Sequence, residues 1–378
     1  ARKDPHYTAH LAERFGRYRQ SQTGAVWVHV VSLGEFRGAL PLIRELLRQD
    51  RHVVCTCFTP AGRREAERSL ASEIAQGRAS VVWVPLETAW AYRGFFHAFR
   101  PAFGLVMEVE IWPRMVFAAR RASIPLFMCN AHYPPVSLER DQRGLRLRQA
   151  VMRGFSGAMV KSQAQLKRFA SAGVRNIVVS GELRFDQPIP PALLAAGAVA
   201  RNWIGARNRR VITIASAVEG EDEVYLQAIA ELRAAHEAKG TAPPLIVYVP
   251  RSPDRFEATR RLCVAAGLTV LRRSDLFDRD LAPIGTAICP DVLLGDSLGE
   301  MFFYLEMADQ VVVGGGFHPK GAHNIIEPLA LKKPIITGPQ TGGIEFPFRE
   351  AEAAGVALST PDAAALADAL ISGFAPSV

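Results

Sequence analysis

The 378-residue sequence contains no apolar run approaching the roughly 20 residues of a spanning helix, which excludes a transmembrane helix within these residues. It shows no signal-peptide h-region. Its five cysteines (Cys55, Cys57, Cys129, Cys263 and Cys289) are odd in number and scattered, with no C-x-x-C pair. That excludes a zinc ribbon, and a reducing compartment fits better than a disulfide framework. There is no G-x-x-x-x-G-K-[ST], so a P-loop NTPase is excluded. No G-x-G-x-x-G follows the first strand, against a dinucleotide dehydrogenase, and no G-x-S-x-G elbow marks a serine hydrolase. Asp278-Arg279-Asp280 spells D-x-D in a loop-like stretch. His318 and His323, with Glu327 four residues further on, are separated by proline and glycine. Loop or cap roles, rather than metal ligation, are expected of all of them.

What is present is enough apolar residue, 49%, to bury sizeable cores, over a length that suggests two domains. Short β-branched runs such as Ala25–Val31, Val53–Phe58, Val211–Ala215 and Leu245–Val249 alternate with helix-like stretches throughout. Continuous apolar strands spaced by helices predict an α/β fold with parallel sheets covered on both faces. The almost uncharged, proline- and alanine-rich stretch from Asp186 to Ala200 reads as a linker. The expected division is therefore a domain over 1–187, a linker over 188–203 and a second domain over 204–378. Two doubly wound domains place a ligand in the cleft between them.

The net charge of +8 is unevenly spread. Residues 1–187 carry 28 Lys and Arg against 15 Asp and Glu, whereas residues 188–378 carry 17 against 22. A basic first half facing a polyanion is expected: nucleic acid, anionic lipid or a phosphorylated substrate.

Four strand ends run into one local pattern, a cap residue with Glu three positions later: Ser32-Leu33-Gly34-Glu35, Ser216-Ala217-Val218-Glu219, Ser297-Leu298-Gly299-Glu300 and Asn324-Ile325-Ile326-Glu327. A capping box accounts for each. So does a ligand rim, because in doubly wound folds these strand-to-helix turns bind substrate and their free N–H groups suit phosphate. In Pro250-Arg251-Ser252-Pro253-Asp254-Arg255-Phe256, Arg251 tips a strand, and Ser252 with Pro253 opens a helix. An arginine there suits a phosphate or an ion pair.

Taken in order, these turns resemble the 3-deoxy-D-manno-octulosonic acid (Kdo) transferases of lipopolysaccharide biosynthesis. The resemblance runs through Glu13–Gly16, Ser32–Glu35, Thr59–Gly62, Met107-Glu108-Val109-Glu110-Ile111-Trp112-Pro113, Asn130-Ala131 and Gly181–Asp186. It continues through Pro250–Phe256, Asp296–Glu300, Gly314–Gly316 and Gly321–Pro328. It implies a GT-B glycosyltransferase with twin Rossmann-like domains facing across a cleft, the acceptor on the first and the nucleotide sugar on the second. It implies an inverting transfer of Kdo from CMP-Kdo to a lipid A precursor, with neither metal nor cofactor. By motif, Glu35 would be the general base, assisted by Glu108, with Glu110 close behind, and by Arg184. Pro250 and Arg251, Leu298, Gly299 and Glu300, and Asn324, Ile325, Ile326 and Glu327 would hold CMP. The family usually has Lys at Arg184, Arg at His132, His at Ser252, and Gly-Gly-Ser where Gly314–Gly316 stands.

The chemistry suits these residue types. Inversion needs one base, a role Glu35 can fill, and a stabilised leaving phosphate, which Arg251 and the helix N-termini near Ser297 and Asn324 would supply. Glu300 and Glu327 suit ribose hydroxyls or cap N–H groups better than phosphate. Another GT-B enzyme, a heptosyltransferase or a sugar-nucleotide epimerase, shares the fold but not the motif order. A basic nucleic-acid-binding protein is disfavoured, because the arginines at 140, 143, 146, 148 and 153 have no aromatic among them until Phe155. Arg2, Lys3, Arg14, Arg17 and Arg19, mixed with Tyr7, Phe15 and Tyr18, suit the edge of a membrane anchor. The resemblance implies such an anchor upstream, on the cytoplasmic face of the bacterial inner membrane, with the basic half toward the anionic leaflet.

Overall fold

The β-branched runs become strands, fourteen among the described residues, in a computed structural model that describes residues 5–19, 21–108, 110–143, 147–286 and 289–374. Arg2, Lys3, Val109 and Arg146, named above, lie outside them. The chain divides into two units, Ala1–Gln187 and Pro188–Val378. In the first, β1 (Val26–Val30), β2 (Val53–Cys57), β3 (Ala79–Trp83), β4 (Phe103–Met107), β5 (Leu126–Ala131), β6 (Gly157–Val160) and β7 (Ile177–Val179) form one sheet in the order β3-β2-β1-β4-β5-β6-β7. The second unit has β8 (Val211–Ala217), β9 (Leu245–Pro250), β10 (Val270–Arg272), β11 (Val292–Leu294), β12 (Gln310–Val313), β13 (Ile335–Thr337) and β14 (Ala357–Ser359), in the order β10-β11-β9-β8-β12-β13-β14. Every pairing between these strands is parallel.

Both faces of each sheet are covered, which is why the strands carry few polar residues. In β1, Trp27 enters one core with Phe95 and Phe99, while Val26, Val28 and Val30 enter the other with Phe36 and Ile43. In the second unit Ile212 and Ile214 of β8 pack with Tyr225 and Ile229 on one face, and Val211 packs with Phe303 and Met307 on the other. Chain order reverses beside the first strand of each unit, between β1 and β4 and between β8 and β12. At such a switch point the flanking connections leave in opposite directions and open a crevice at the strands' carboxyl ends.

No helix among the described residues is long and apolar enough to cross a membrane. The cysteines are free thiols, buried except for Cys289.

The expected linker over 188–203 is instead mostly helix, Pro191–Trp203, and belongs to the second unit. Its prolines fall before and at the first helical position, where the ring is tolerated, and the alanines that follow are strong helix formers. A low-charge stretch of this composition reads as a linker only until a partner for its apolar side is known. That partner is the helix Met301–Met307, against which Gly197 lies so close that an added Cβ would stand 2.6 Å from the Phe303 carbonyl oxygen. Gly197→Ala should therefore destabilise the second unit by about 1–3 kcal/mol, an overpacking cost. Thermal melting checks this; a Tm at or above the parent's would mean that the helix is a mobile connector.

Candidate active site

The first switch point is built from the chain leaving β1. Ser32, in extended conformation, caps the helix Leu33–Arg48: its Oγ accepts the Glu35 N–H at 3.3 Å and donates to Glu35 Oε1 at 3.2 Å. Glu35 Oε2 accepts the Val31 N–H at 2.7 Å, so the capping box forms, displaced by one residue from its usual donor. Thr59 ties the neighbouring turn to the same place, donating from Oγ1 to the Val31 carbonyl at 2.9 Å. The half-buried Glu35 carboxyl is pushed up to about 7. Burial is the largest cause and the charges of Glu110 and Glu108 add to it, against the hydrogen bonds from Val31 and Ser32. A carboxyl near 7 has the proton affinity a general base needs at neutral pH.

Across the switch point, Glu108 follows β4 in a left-handed conformation, φ 54°, and its N–H donates to the Cys129 carbonyl at 2.8 Å. Its carboxylate meets Arg184 at 3.3 Å. Glu110 instead accepts from the Trp112 indole at 2.7 Å. Of the two glutamates, the structure joins Glu108 to Arg184.

Arg184 is held from below by buried groups that sequence reasoning missed. Glu182 pairs with Lys161 at 2.7 Å and accepts from Asn130 Nδ2 at 2.7 Å, and Asn130 Oδ1 accepts the Leu183 N–H at 3.1 Å. Burial would raise the Glu182 carboxyl, but the charge and hydrogen bond of Lys161, with Asn130, hold it below the usual range. Removing one member of a buried pair of this kind costs about 3–5 kcal/mol. His132 sits beside this group with its Nδ1 buried and unpartnered. Burial, then the Lys161 charge, lowers its imidazole against the pull of Glu108 and Glu182. Where the family usually has Arg, this position offers a neutral ring at pH 7.

In the second unit Arg251, exposed, stands at the tip of β9, its N–H donating to the Ala217 carbonyl at 2.9 Å. Ser252 and Pro253 open the short turn Pro253–Arg255 as cap and first helical residue. The Arg251 charge reaches His323, which follows the glycine loop after β12. Burial first, then Arg251 and His318, push that imidazole down to about 4, and its Nε2 is buried without a partner. Asn324 Oδ1 accepts the Ile326 N–H at 3.0 Å, leading into the helix Ile326–Ala330, whose first turn carries Ile325 as cap and Glu327. Leu298 is exposed, and Gly299 takes φ 83°.

Three of the four expected capping boxes do not form as spelled: at Asn324–Glu327 the helix cap is Ile325, without a side-chain bond. Glu219 is exposed, and the helix after β8 begins only at Asp222; it is Glu221, fully buried, that takes the backbone donors there. The tripeptide spacing misleads because Gly220 extends the turn with φ 91°. Glu300 caps no N–H through its side chain: it pairs with the buried Arg273 at 2.6 Å and accepts from Ser297 Oγ. The helices Met301–Met307 and Ile326–Ala330 are one to two turns long, so their dipoles offer phosphate less than was expected of them. The D-x-D stretch is a turn in which Asp278 Oδ1 accepts the Asp280 and Ala282 N–H groups, both at 2.9 Å. His318 Nδ1 accepts the Lys320 N–H at 3.1 Å, a loop role. A separate cavity of about 750 Å³ in the first unit, between residues 10–19 and 63–82, is lined by none of the candidate site residues.

The match to known proteins is extensive. A profile of the family described as 3-Deoxy-D-manno-octulosonic-acid transferase (kdotransferase) covers residues 9–187. The 3-deoxy-D-manno-octulosonic acid transferase of Bordetella pertussis is 40% identical over 339 residues, spanning 89% of this chain and 76% of that protein. That of Haemophilus influenzae is 28% identical over 354 residues, spanning 92% and 79%. Among solved structures, a UDP-GlcNAc 2-epimerase from Neisseria meningitidis bound to UDP-GlcNAc superposes with a TM-score of 0.55 at 14% identity, covering 93% of this chain and 90% of that one. Identity that low speaks for the fold alone, which is GT-B. The sequence match over most of both chains decides between an epimerase and a transferase: this chain belongs to the 3-deoxy-D-manno-octulosonic acid transferase family of glycosyltransferases.

Proposed function

We propose that the chain transfers Kdo from CMP-Kdo to a hydroxyl of a lipid A precursor with inversion at the anomeric carbon, the first unit binding the acceptor and the second the donor. The observation that carries this reading is Glu35: a half-buried carboxyl raised to about 7 at the β1/β4 switch point, on the unit that the family profile matches. In the proposed step the acceptor oxygen forms its bond to the anomeric carbon while its proton passes to Glu35. The bond from that carbon to the CMP phosphate breaks, and the electron pair leaves with CMP. Arg251 meets the phosphate as charge builds on it. Arg184, half-exposed and paired with Glu108, is the cation this reading assigns to the Kdo carboxylate or a developing oxyanion. No metal is required in this reading.

We also place the acceptor's membrane against the first unit. Phe15 and Trp90 stack at 5.8 Å on its surface with Leu11 and Leu86 exposed in the same unit, and Arg17, Arg19 and Arg93 are exposed as well. Large apolar rings beside arginines suit the headgroup layer of an anionic bilayer.

Three outcomes follow. Glu35→Gln should fold and bind CMP but lose transfer by about 10²-fold or more. In the parent, kcat/KM should rise with pH to a plateau through an apparent pKa near 7, because the base must be deprotonated. The same raised value means that the folded chain holds this proton more tightly than the unfolded one. Glu35 therefore costs stability as pH climbs from the ordinary carboxylate range to about 7, a slope that Gln should abolish. A cap and nothing more would cost about 1 kcal/mol on substitution and leave turnover intact.

Arg251→Ala should weaken CMP binding in calorimetry by the value of a charge-assisted contact, about 1.5–3 kcal/mol, while parent activity survives EDTA. Activity lost in chelator and restored by magnesium would overturn the metal-free step.

The protein should sediment with anionic liposomes, release in salt, and bind less well when Phe15 and Trp90 are both replaced by Ala. Equal, weak sedimentation with anionic and neutral liposomes at low salt would make the basic half an ordinary solvated surface.

A further inference from the structure

The second switch point holds a carboxylate that the proposed chemistry does not use. Glu221 is fully buried, yet its oxygens are matched by backbone donors from two separate connections. Oε2 accepts the N–H of Val218, in the turn after β8, at 3.2 Å and that of Gly315, in the loop after β12, at 2.8 Å; Oε1 accepts the Phe317 N–H at 2.9 Å. Backbone N–H groups converging on one point make an anion hole, and the switch point of a doubly wound sheet is where such folds receive a ligand's phosphate. Here that hole is already filled from within the chain.

Of the two connections that Glu221 joins, the one after β12 leads to Asn324 and Ile325 of the expected donor site, and the one after β8 leaves a strand end that holds Arg251. The last residue of β8, Ala217, from which the turn to Glu221 leaves, holds the Arg251 backbone through its carbonyl. The loop after β12 holds His323, whose N–H donates to the Gly314 carbonyl at 2.9 Å. Gly315 has φ 89°, and a Cβ on it would stand 2.5 Å from the Gly321 carbonyl oxygen and 3.1 Å from the His323 ring. The loop therefore folds back on itself with His323 against its glycine. Without the carboxylate, one buried N–H group, that of Gly315, and two partly buried ones would lose this partner, and the loop would have reason to open.

We infer that Glu221 is a positioning residue: a built-in anion that closes the turn after β8 onto the glycine loop after β12, so that the donor's phosphate is met by Arg251 and His323 and not by the loop's own N–H groups. This rests on the donor reading above. The glycine cluster is then a scaffold, with the Gly314 N–H spent on the Ala215 carbonyl and the Gly315 N–H on Glu221.

Two measurements on Glu221→Gln test the inference and separate it from the donor reading. Hydrogen exchange without ligand should quicken in the peptides spanning 313–324 and 216–220 while those around Glu35 stay unchanged. CMP titration should show affinity at least 10-fold weaker, and turnover should show a raised KM for CMP-Kdo at an unchanged KM for the lipid acceptor. Should the Gln variant not fold, Glu221→Asp, which keeps the charge but shortens the reach, is expected to show the same changes to a lesser degree. In Glu221→Ala, added formate should restore CMP binding where an equal concentration of chloride does not, because a small carboxylate can re-enter the vacated hole. Unchanged exchange in 313–324 overturns the clamp. Faster exchange with unchanged CMP affinity, or a lowered Tm as the sole effect, overturns the positioning role. Parent protein that binds no CMP overturns the donor reading, and the exchange result still decides whether Glu221 holds the loop.

Discussion

A parallel strand ends with backbone N–H and C=O groups that its own sheet no longer pairs, and at a switch point two neighbouring strands end with their connections leaving in opposite directions. What satisfies those groups determines what each unit can bind. In the first unit the solution is a capping box whose carboxylate, Glu35, remains half-open to solvent and close to two further acids. In the second it is Glu221, wholly enclosed and bonded to both connections. The same fold thus leaves one carboxylate partly open to solvent and encloses the other among backbone donors from two connections.

The polar groups around Arg184 show a second consequence of burial. Lys161, Glu182 and Asn130 lie beneath the site, and an unpaired charge there would be expensive, so each is engaged. The arrangement leaves Arg184 at the surface of the group with Glu108 as its partner. Lys161 contributes a buried positive charge beside His132, at a position where the family usually carries Arg. The side chains differ from the family's usual ones, but a cation remains in the same neighbourhood.

Much of this was legible in the sequence because the signals were local. Apolar β-branched runs marked all the strands, since a doubly covered sheet tolerates little else, and Ser32 with Glu35 spelled a box that the structure contains. Two kinds of feature were illegible. Long-range partners left no trace in spacing: nothing near Glu182 in sequence announces Lys161, and nothing near Glu300 announces Arg273. Local patterns also misled where a glycine altered the turn, so that Glu219 drew attention that belonged to Glu221 two residues on. The stretch over 188–203 failed for a third reason: low charge and proline suggest a linker, and only the docking of Pro191–Trp203 on Met301–Met307 shows it to be a packed helix.

The proposed transfer uses both switch points, a base on the first unit and a cytidine monophosphate site on the second. The most direct test is transfer in vitro by the purified protein, with CMP-Kdo and a lipid A precursor, followed by mass spectrometry of the lipid. The expected product is lipid heavier by one or more Kdo residues, dependent on the cytidine donor and absent when a uridine-linked sugar replaces it. An unmodified lipid in the presence of CMP-Kdo, or turnover of a uridine-linked sugar in its place, would contradict it.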